Sequence, residues 1–130
     1  MKILVGFDGS NVSKEALRLA AEHAKAFDAH IYVIHSMVGG PDVPRRDFEN
    51  AENELETEIK QLKKEDLSCE SLLSVRGLEA GEDLVQLAQN KEVDEIIIGV
   101  RRRSKVGKLI FGSTAQYVIL NAPCPVVTVK

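Results

Sequence analysis

Several residue types that would define other protein classes are scarce in this chain of 130 residues. It has no tryptophan, four prolines and two cysteines, and no apolar run approaches the roughly 20 residues of a membrane span. Because Cys69 and Cys124 both lie in strand-like runs, we expect free thiols in a reducing compartment. The first residues already form a strand-like run, without a leader pattern. We therefore expect a cytoplasmic protein with no membrane partner.

Neither sign of charge is in large excess, with 17 basic and 20 acidic residues. Five of the bases lie between positions 101 and 108, which leaves 12 basic and 20 acidic residues elsewhere. A compact basic spot on an acidic body suits a small polyanion, whereas a long nucleic acid favours an extended basic face. The basic segment also has no aromatic residue for base stacking before Phe111. A nucleic-acid partner is therefore the less favoured alternative.

Five strand-like runs alternate with four helix-like runs along the chain. The predicted strands are 2–7, 30–36, 69–76, 95–99 and 125–129, and the predicted helices are 12–27, 47–65, 81–90 and 113–120. This alternation is typical of βαβ units, and it predicts a single domain over 1–130 with a doubly wound parallel sheet and helices on both faces. The more polar third run and the short, proline-led fifth run suit sheet edges.

The first predicted helix has an apolar stripe of regular helical spacing. Its members are Ala16, Leu17, Ala20, Ala24 and Phe27. We expect this stripe to pack on the sheet, with Ser10 or Asn11 as the N-cap.

The segment 99–113 joins the fourth strand to the last helix and has the composition of a phosphate-binding loop. Gly99, Gly107 and Gly112 permit tight turns and close backbone approach. Ser113 and Thr114 supply hydroxyl and N–H groups at a helix start, where the helix dipole favours an anion. The alternative is a basic surface loop in which the glycines only form turns. The Walker A pattern is absent, because Arg102 stands five residues before Gly107 where that pattern requires glycine.

Two other polar residues follow predicted strands. Asp8 ends the first strand, where a carboxylate can accept from a ribose hydroxyl or an adenine amine, or else cap the turn before the first helix. Ligands of parallel sheets bind beyond the carboxyl ends of the strands, where the strand order reverses. If the first and fourth strands are neighbours, loops 7–11, 36–40 and 99–113 meet there. His35 lies near this edge without a carboxylate or cysteine at ligand or triad spacing, which favours a packed histidine over a catalyst.

Over its whole length the chain resembles the universal stress protein family. The matching segments are KILVGFDGS at 2–10, VIH at 33–35, VDEIIIG at 93–99, GSTA at 112–115 and APCPVV at 122–127. The resemblance implies a sheet of order 3-2-1-4-5, a homodimer joined through the last strand at 124–129 and, in one branch of the family, ATP binding.

That ATP-binding branch has the pattern G-x2-G-x9-G-S/T, and this chain departs from it at one position. Gly99, Gly112 and Ser113 match, but Arg102 replaces the second glycine. Its side chain occupies a place where the family's backbone approaches the phosphates, so either Gly107 supplies the flexibility or triphosphate binding is weakened. An arginine beside a phosphate is, however, a good bidentate donor.

The resemblance also implies a role for each candidate residue. Gly6 and Asp8 would line the ribose and adenine end, and the backbone of Ser36 would reach the adenine edge. The phosphates would be surrounded by Gly99, Arg102, Gly112, Ser113 and Thr114.

We expect from this an ATP-binding regulatory dimer of the universal stress type, with AMP and ADP as alternative ligands, Mg²⁺ arriving with the nucleotide and a protein partner still to be identified. No positioned general base or nucleophile is visible in the sequence, so any ATP hydrolysis should be slow. The alternative, favoured by the side chain at position 102, is a nucleotide-free dimeric scaffold or chaperone-like protein. A nucleotide hydrolase or transferase is a further option that nothing in the sequence requires.

Overall fold

The described part of the chain consists of alternating strands and helices. A computed structural model describes residues 1–100 and 112–130, so the predictions for Arg102 and Gly107 lie outside the described residues. The elements in order are β1 (Lys2–Gly6), α1 (Asn11–Phe27), β2 (His30–Met37), α2 (Arg45–Lys64), β3 (Cys69–Val75), α3 (Ala80–Lys91), β4 (Glu95–Gly99), α4 (Ser113–Asn121) and β5 (Val126–Val129). Their type and order agree with the prediction, and their ends differ from it by at most two residues.

The sheet is parallel, and its strand order is β3-β2-β1-β4-β5. The predicted order 3-2-1-4-5 is therefore confirmed. The central strand β1 pairs with β2 on one side, where Gly6 stands opposite Ile34, and with β4 on the other, where Val5 stands opposite Ile97. From β1, the next two strands of the chain, β2 and β3, extend the sheet to one side. The last two, β4 and β5, extend it to the other side. The order reverses at β1 and β4, so a crevice opens beyond their carboxyl ends.

Helices cover both faces of the sheet. The core cluster on the α1 and α2 side includes Ile3 and Val5, and the cluster on the α3 and α4 side includes Leu4 and Ile96. None of these four side chains is exposed to solvent. Strands covered on both faces need apolar residues at successive positions, which explains the continuous Val, Ile and Leu runs of β1 and β4.

One residue of the α1 stripe does not reach the core. Phe27 is 59% exposed, whereas Ala16, Ala20 and Ala24 are buried as predicted. Phe27 is the last residue of α1, and Asp28 follows it in the left-handed conformation with φ 53°. The Phe27 ring lies edge-on to His23, with centroids 6.0 Å apart, instead of against the sheet. The helical period predicts which face points inward but not where the sheet beneath that face ends.

The amino ends of the strands are joined by polar contacts. The backbone N–H of Lys2 donates to Asp94 Oδ2 at 2.8 Å, and Lys2 Nζ donates to the carbonyl of Lys91 at 3.0 Å. His30 Nδ1 lies 2.5 Å from Ser68 Oγ. These contacts lie at the end of the sheet opposite the crevice.

Both cysteines carry free thiols, as predicted from the sequence. Among the described residues, no helix combines the length and apolarity needed to cross a lipid bilayer.

Candidate functional site

A cavity of about 340 Å³ lies beyond the carboxyl ends of β1 and β4. This volume is within the range of small-molecule sites, which begins at about 300 Å³. Every predicted site residue that the structure describes lines it, namely Gly6, Asp8, Ser36, Gly99, Gly112, Ser113 and Thr114. The crevice predicted from the topology is therefore present, and it gathers residues separated by up to 108 positions in the chain. Their role in binding stays a prediction.

The wall at the start of α1 carries the carboxylate of Asp8. Asp8 Oδ1 accepts from the backbone N–H of Ser10 at 2.9 Å, and Ser10 Oγ accepts from the backbone N–H of Ser13 at 3.2 Å. Ser10 is thus the N-cap of α1. The two interpretations of Asp8 from sequence are compatible, because the same carboxylate both orders the turn and lines the cavity.

The wall at the start of α4 has a different character. Gly112 is the N-cap residue with φ −67°, and as a glycine it supplies no side-chain cap to the first N–H groups of this helix. Its first turn contains no acidic residue, and Ser113 and Thr114 are exposed. A Cβ placed on Gly112 would have no described atom within 4 Å. N–H groups at the positive end of a helix dipole, without a capping side chain on the N-cap residue, favour an anion.

Gly99 is required by packing, whatever its contribution to a ligand. A Cβ at this position would lie 2.7 Å from Val12 Cγ1 and 2.9 Å from the Val12 carbonyl carbon. The end of β4 therefore approaches the first turn of α1 too closely for any side chain. Sequence reasoning assigned Gly99 to the phosphate loop, and the structure adds a second reason for glycine there.

The start of α3 forms part of the cavity wall, which the sequence analysis did not predict. Ala80 and Leu84 line the cavity. Between them, Gly81 packs on α4: a Cβ there would lie 2.9 Å from Tyr117 Cβ and 3.2 Å from the carbonyl oxygen of Thr114. The signal was available, because parallel strands direct the N-termini of all the following helices toward the same edge of the sheet.

Asp83 of α3 forms a buried polar cluster beside this wall, also unpredicted. It is 1% exposed, accepts from Ser36 Oγ at 2.6 Å and from Arg76 Nε at 2.7 Å, and is further bonded by Arg76 Nη2 and by the Ser74 side chain. Burial by itself raises the pKa of Asp83, but the hydrogen bonds from Ser36, Ser74 and Arg76 and the charge of Arg76 outweigh it. The pKa of Asp83 therefore lies below its usual value, and the carboxylate is ionised at neutral pH.

His35 is a packed histidine, as the sequence analysis favoured. Its ring lies edge-on to Phe7 with centroids 6.4 Å apart, and its Nδ1 is buried with no partner among the described residues. Burial lowers the pKa of His35, and the negative charges of Asp8 and Glu54 oppose that shift in part. His35 is not among the described residues that line the cavity.

Comparison with known proteins assigns the fold to a family. The model of the universal stress protein family matches residues 1–130. The chain belongs to the universal stress protein family. The resemblance of its motifs is thereby confirmed, together with the Rossmann-like sheet that the resemblance implied.

Other universal stress proteins match over nearly the whole chain. One from Methanocaldococcus jannaschii is 33% identical over 138 residues, which covers 99% of this chain and 81% of that protein. The structure of one from Archaeoglobus fulgidus has a TM-score of 0.88 and 37% identity, covering 100% of this chain and 93% of the other. A second structure from that organism, a complex with dAMP, has a TM-score of 0.85 and 35% identity, with coverage of 100% and 98%.

Proposed function

We propose that this universal stress protein binds an adenine nucleotide, with ATP as the expected ligand, in the cavity beyond β1 and β4, and acts as a regulatory protein in the stress response. The observation that carries the proposal is the pairing, in one cavity, of a carboxylate at the start of α1 with the N-terminus of α4, whose N-cap residue Gly112 supplies no capping side chain. The dAMP complex of the similar universal stress protein from Archaeoglobus fulgidus supports this class of ligand.

The chemistry of the cavity walls suits the parts of an adenine nucleotide. Ile34 and Leu84 offer apolar surface for the base, and the backbone of Ser36 lies at the same end. Asp8 offers an acceptor for ribose hydroxyls or the adenine amine. The first turn of α4 offers N–H and hydroxyl donors for phosphate, beginning at Gly112. We assign the phosphates to this last wall.

The basic segment precedes Gly112 in the chain, and we propose that it contributes charge to the phosphate end. Arg102 would supply a bidentate donor there, and Gly107 the turn that the missing motif glycine provides in relatives. Among the described residues no three His, Cys, Asp or Glu side chains form a metal site. An Mg²⁺ ion would therefore be held mainly by phosphate oxygens and water, with Asp8 the nearest carboxylate on the cavity wall.

We propose that catalysis is at most slow ATP hydrolysis. Within residues 1–100 and 112–130, the cavity lining contains serine and threonine hydroxyls but no histidine, cysteine or lysine beside them. The one carboxylate in this described lining, Asp8, accepts from the backbone N–H of Ser10 in the turn before α1. A hydroxyl or a water without a base positioned beside it is poorly activated. We expect ADP release from ATP at less than one turnover per minute, measured by a coupled assay. Many turnovers per minute would show that the protein is an enzyme.

Titration calorimetry with adenosine, AMP, ADP and ATP tests the nucleotide proposal. We expect Gly112→Val to lower the affinity for AMP, ADP and ATP, because the new side chain enters the space assigned to phosphate. The affinity for adenosine should not change. Leu120→Val is the matched control, since position 120 lies on the same helix and is 80% exposed. No heat with any ligand in the wild type would overturn the proposal and favour the nucleotide-free scaffold.

We further propose a homodimer through the last strand, at 124–129. β5 lies at the sheet edge, and the carbonyls of Pro125 and Val129 accept from the β4 side, at 3.0 and 2.7 Å. By alternation, the polar backbone groups of Val126 and Thr128 face the free edge, where they can pair with another strand. Thr128→Pro removes one outward donor and should convert a dimer to a folded monomer in analytical ultracentrifugation. Thr128→Val is its control, and a wild type that sediments as a monomer would exclude the dimer.

A further inference from the structure

Behind the base end of the cavity lies the polar cluster centred on Asp83. Both carboxylate oxygens are occupied: Oδ2 accepts from Ser36 Oγ at 2.6 Å, and Oδ1 accepts from Arg76 Nε at 2.7 Å and from Arg76 Nη2. The three residues come from three elements, since Ser36 is on β2, Arg76 follows β3 and Asp83 is on α3. A single buried carboxylate therefore ties the ends of two strands to the start of one helix.

This cluster is in direct contact with the cavity wall. Ser36 lines the cavity, and so do Ala80 and Leu84, which precede and follow Asp83 on α3. Because the Ser36 hydroxyl donates to Asp83, the hydroxyl is held on the far side of the wall, and its strand is fixed in place. Any movement of the carboxylate would shift both Ser36 and Leu84.

The same helix also contacts the phosphate end. Gly81 lies against α4, where a Cβ would be 3.2 Å from the carbonyl oxygen of Thr114. Thr114 is in the first turn of α4, which lines the cavity. The start of α3 thus touches both walls of the cavity, and among residues 1–100 and 112–130 the hydrogen bonds of Asp83 tie it to the wall that carries Ser36.

Stability alone is a weak reason for this arrangement. Taking a carboxylate out of water is costly, and buried ion pairs commonly contribute less to stability than apolar residues of the same volume. Asp83 is as buried as its neighbour Leu84, which belongs to the core cluster on this face of the sheet, so an apolar side chain at position 83 would also be removed from water. Hydrogen bonds, in contrast, fix distance and direction, which packing alone does less well.

We propose that Asp83 is a positioning residue for the base of the bound nucleotide, acting through Ser36 and through the first turn of α3, with Arg76 holding the carboxylate in place. The proposal rests on the proposed function, because it concerns the binding of the same ligand. In this proposal the cluster positions the adenosine part of the ligand, and the first turn of α4 binds the phosphates.

The test compares adenosine with ATP in competition against a fluorescent ATP analogue. For Ser36→Ala and Asp83→Asn we expect affinity to fall about tenfold, the loss typical of a hydrogen bond to a charged group. The factor should be the same for adenosine and for ATP, because the lost positioning concerns the part they share. Gly112→Ala should lower the affinity for ATP and leave the affinity for adenosine unchanged. Ser36→Thr, which keeps the hydroxyl, should restore most of the affinity lost in Ser36→Ala.

Leu62→Ala is the control for a purely structural role. Leu62 is a buried residue of α2 in the core on the opposite face of the sheet, so its truncation lowers the melting temperature without touching the cluster. If Ser36→Ala and Leu62→Ala lower the melting temperature and both keep wild-type affinity, the positioning role is wrong. Ser36→Ala serves even if Asp83→Asn fails to fold. A wild type that binds neither ligand would instead overturn the proposed function.

Discussion

Helices α1 and α4 both begin at the cavity, but their first turns are completed in different ways. At α1, Ser10 caps the helix and Asp8 accepts from the backbone of the same turn. Gly99 closes that side further, since its backbone packs directly on Val12. At α4, Gly112 offers no capping side chain, and a Cβ placed on it would have no described atom within 4 Å.

The difference separates a helix start that is capped by its own side chains from one that we propose to bind the ligand's phosphates. Two glycines of one motif illustrate this: Gly99 is a condition for folding, and Gly112 keeps a wall of the cavity open. A shared motif position does not imply a shared physical role. Substitutions at the two helix starts should therefore separate stability from binding.

The largest expected effect is on stability, from Gly99→Ala. The added Cβ would lie 2.9 Å from a backbone atom of Val12, which a rotamer change cannot relieve. Overpacking of this kind costs typically 1–3 kcal/mol, so we expect a loss of about 2 kcal/mol in urea unfolding. Gly112→Ala is the control and should unfold within about 0.5 kcal/mol of the wild type. If both variants lose the same free energy of unfolding, the two glycines do not differ in their structural role.

Gly112→Asp should move stability and binding in opposite directions. A carboxylate at this N-cap would bond to N–H groups of the first turn and stabilise α4 by about 0.5–1 kcal/mol. It would also repel the phosphates and lower ATP affinity by at least about tenfold. Gly112→Asn supplies the cap without the charge and should lose less affinity. If Gly112→Asp binds ATP as well as the wild type does, the phosphates are not at α4.

Ser10→Ala is expected to have a smaller effect, confined to folding. The variant loses the hydrogen bond from the Ser13 N–H to the capping hydroxyl. Loss of an N-cap side chain typically lowers the free energy of unfolding by about 1 kcal/mol. Adenosine affinity should change little, because Asp8 keeps its place in the turn. Ser10→Thr retains the cap and should recover most of the stability. A variant as stable as the wild type would mean that α1, like α4, does not depend on its cap.

The smallest effect is a pH dependence on the α1 side, where His35 faces the negative charges of Asp8 and Glu54. Burial lowers the pKa of His35 below its usual 6.5, so the unfolded chain takes up a proton at higher pH than the folded chain does. Stability contributed by the neutral ring is therefore complete above pH 6.5 and falls as the pH drops through that value toward the folded pKa. Denaturation between pH 7.5 and 5.5 should show this slope, and His35→Gln should flatten it. An identical slope in His35→Gln would assign the effect to other groups.

Most of the fold was accessible from the sequence. Continuous apolar runs identify strands covered on both faces, and helical periodicity identifies their partners. The neighbouring position of β1 and β4 came from the family resemblance instead, because periodicity carries no information on strand order. The exposed ring of Phe27 was missed for a related reason: the sheet edge that ends its burial is set by other strands.

The candidate site was accessible only in part. Its loops follow from the rule that ligands bind at the carboxyl ends of parallel strands, and this rule pointed to Asp8. Gly112 was proposed from the composition of the phosphate-type loop and Ser36 from the family resemblance, and all three residues line the cavity. Asp83 was not, because in sequence it is one of two acidic residues in the first turn of α3 and has the appearance of a solvated position. Its burial depends on Ser36, 47 residues away, and such a pairing leaves no local pattern.

The polar contacts around Lys2 and Asp94 give the molecule a second, independent place for change. They lie at the opposite end of the sheet from every residue assigned to the ligand. Substitutions at the amino ends of the strands can therefore change thermal stability, and substitutions at the cavity end can change ligand specificity. Variants with both traits altered should be obtainable by simply combining separate solutions, since sites this far apart are usually additive.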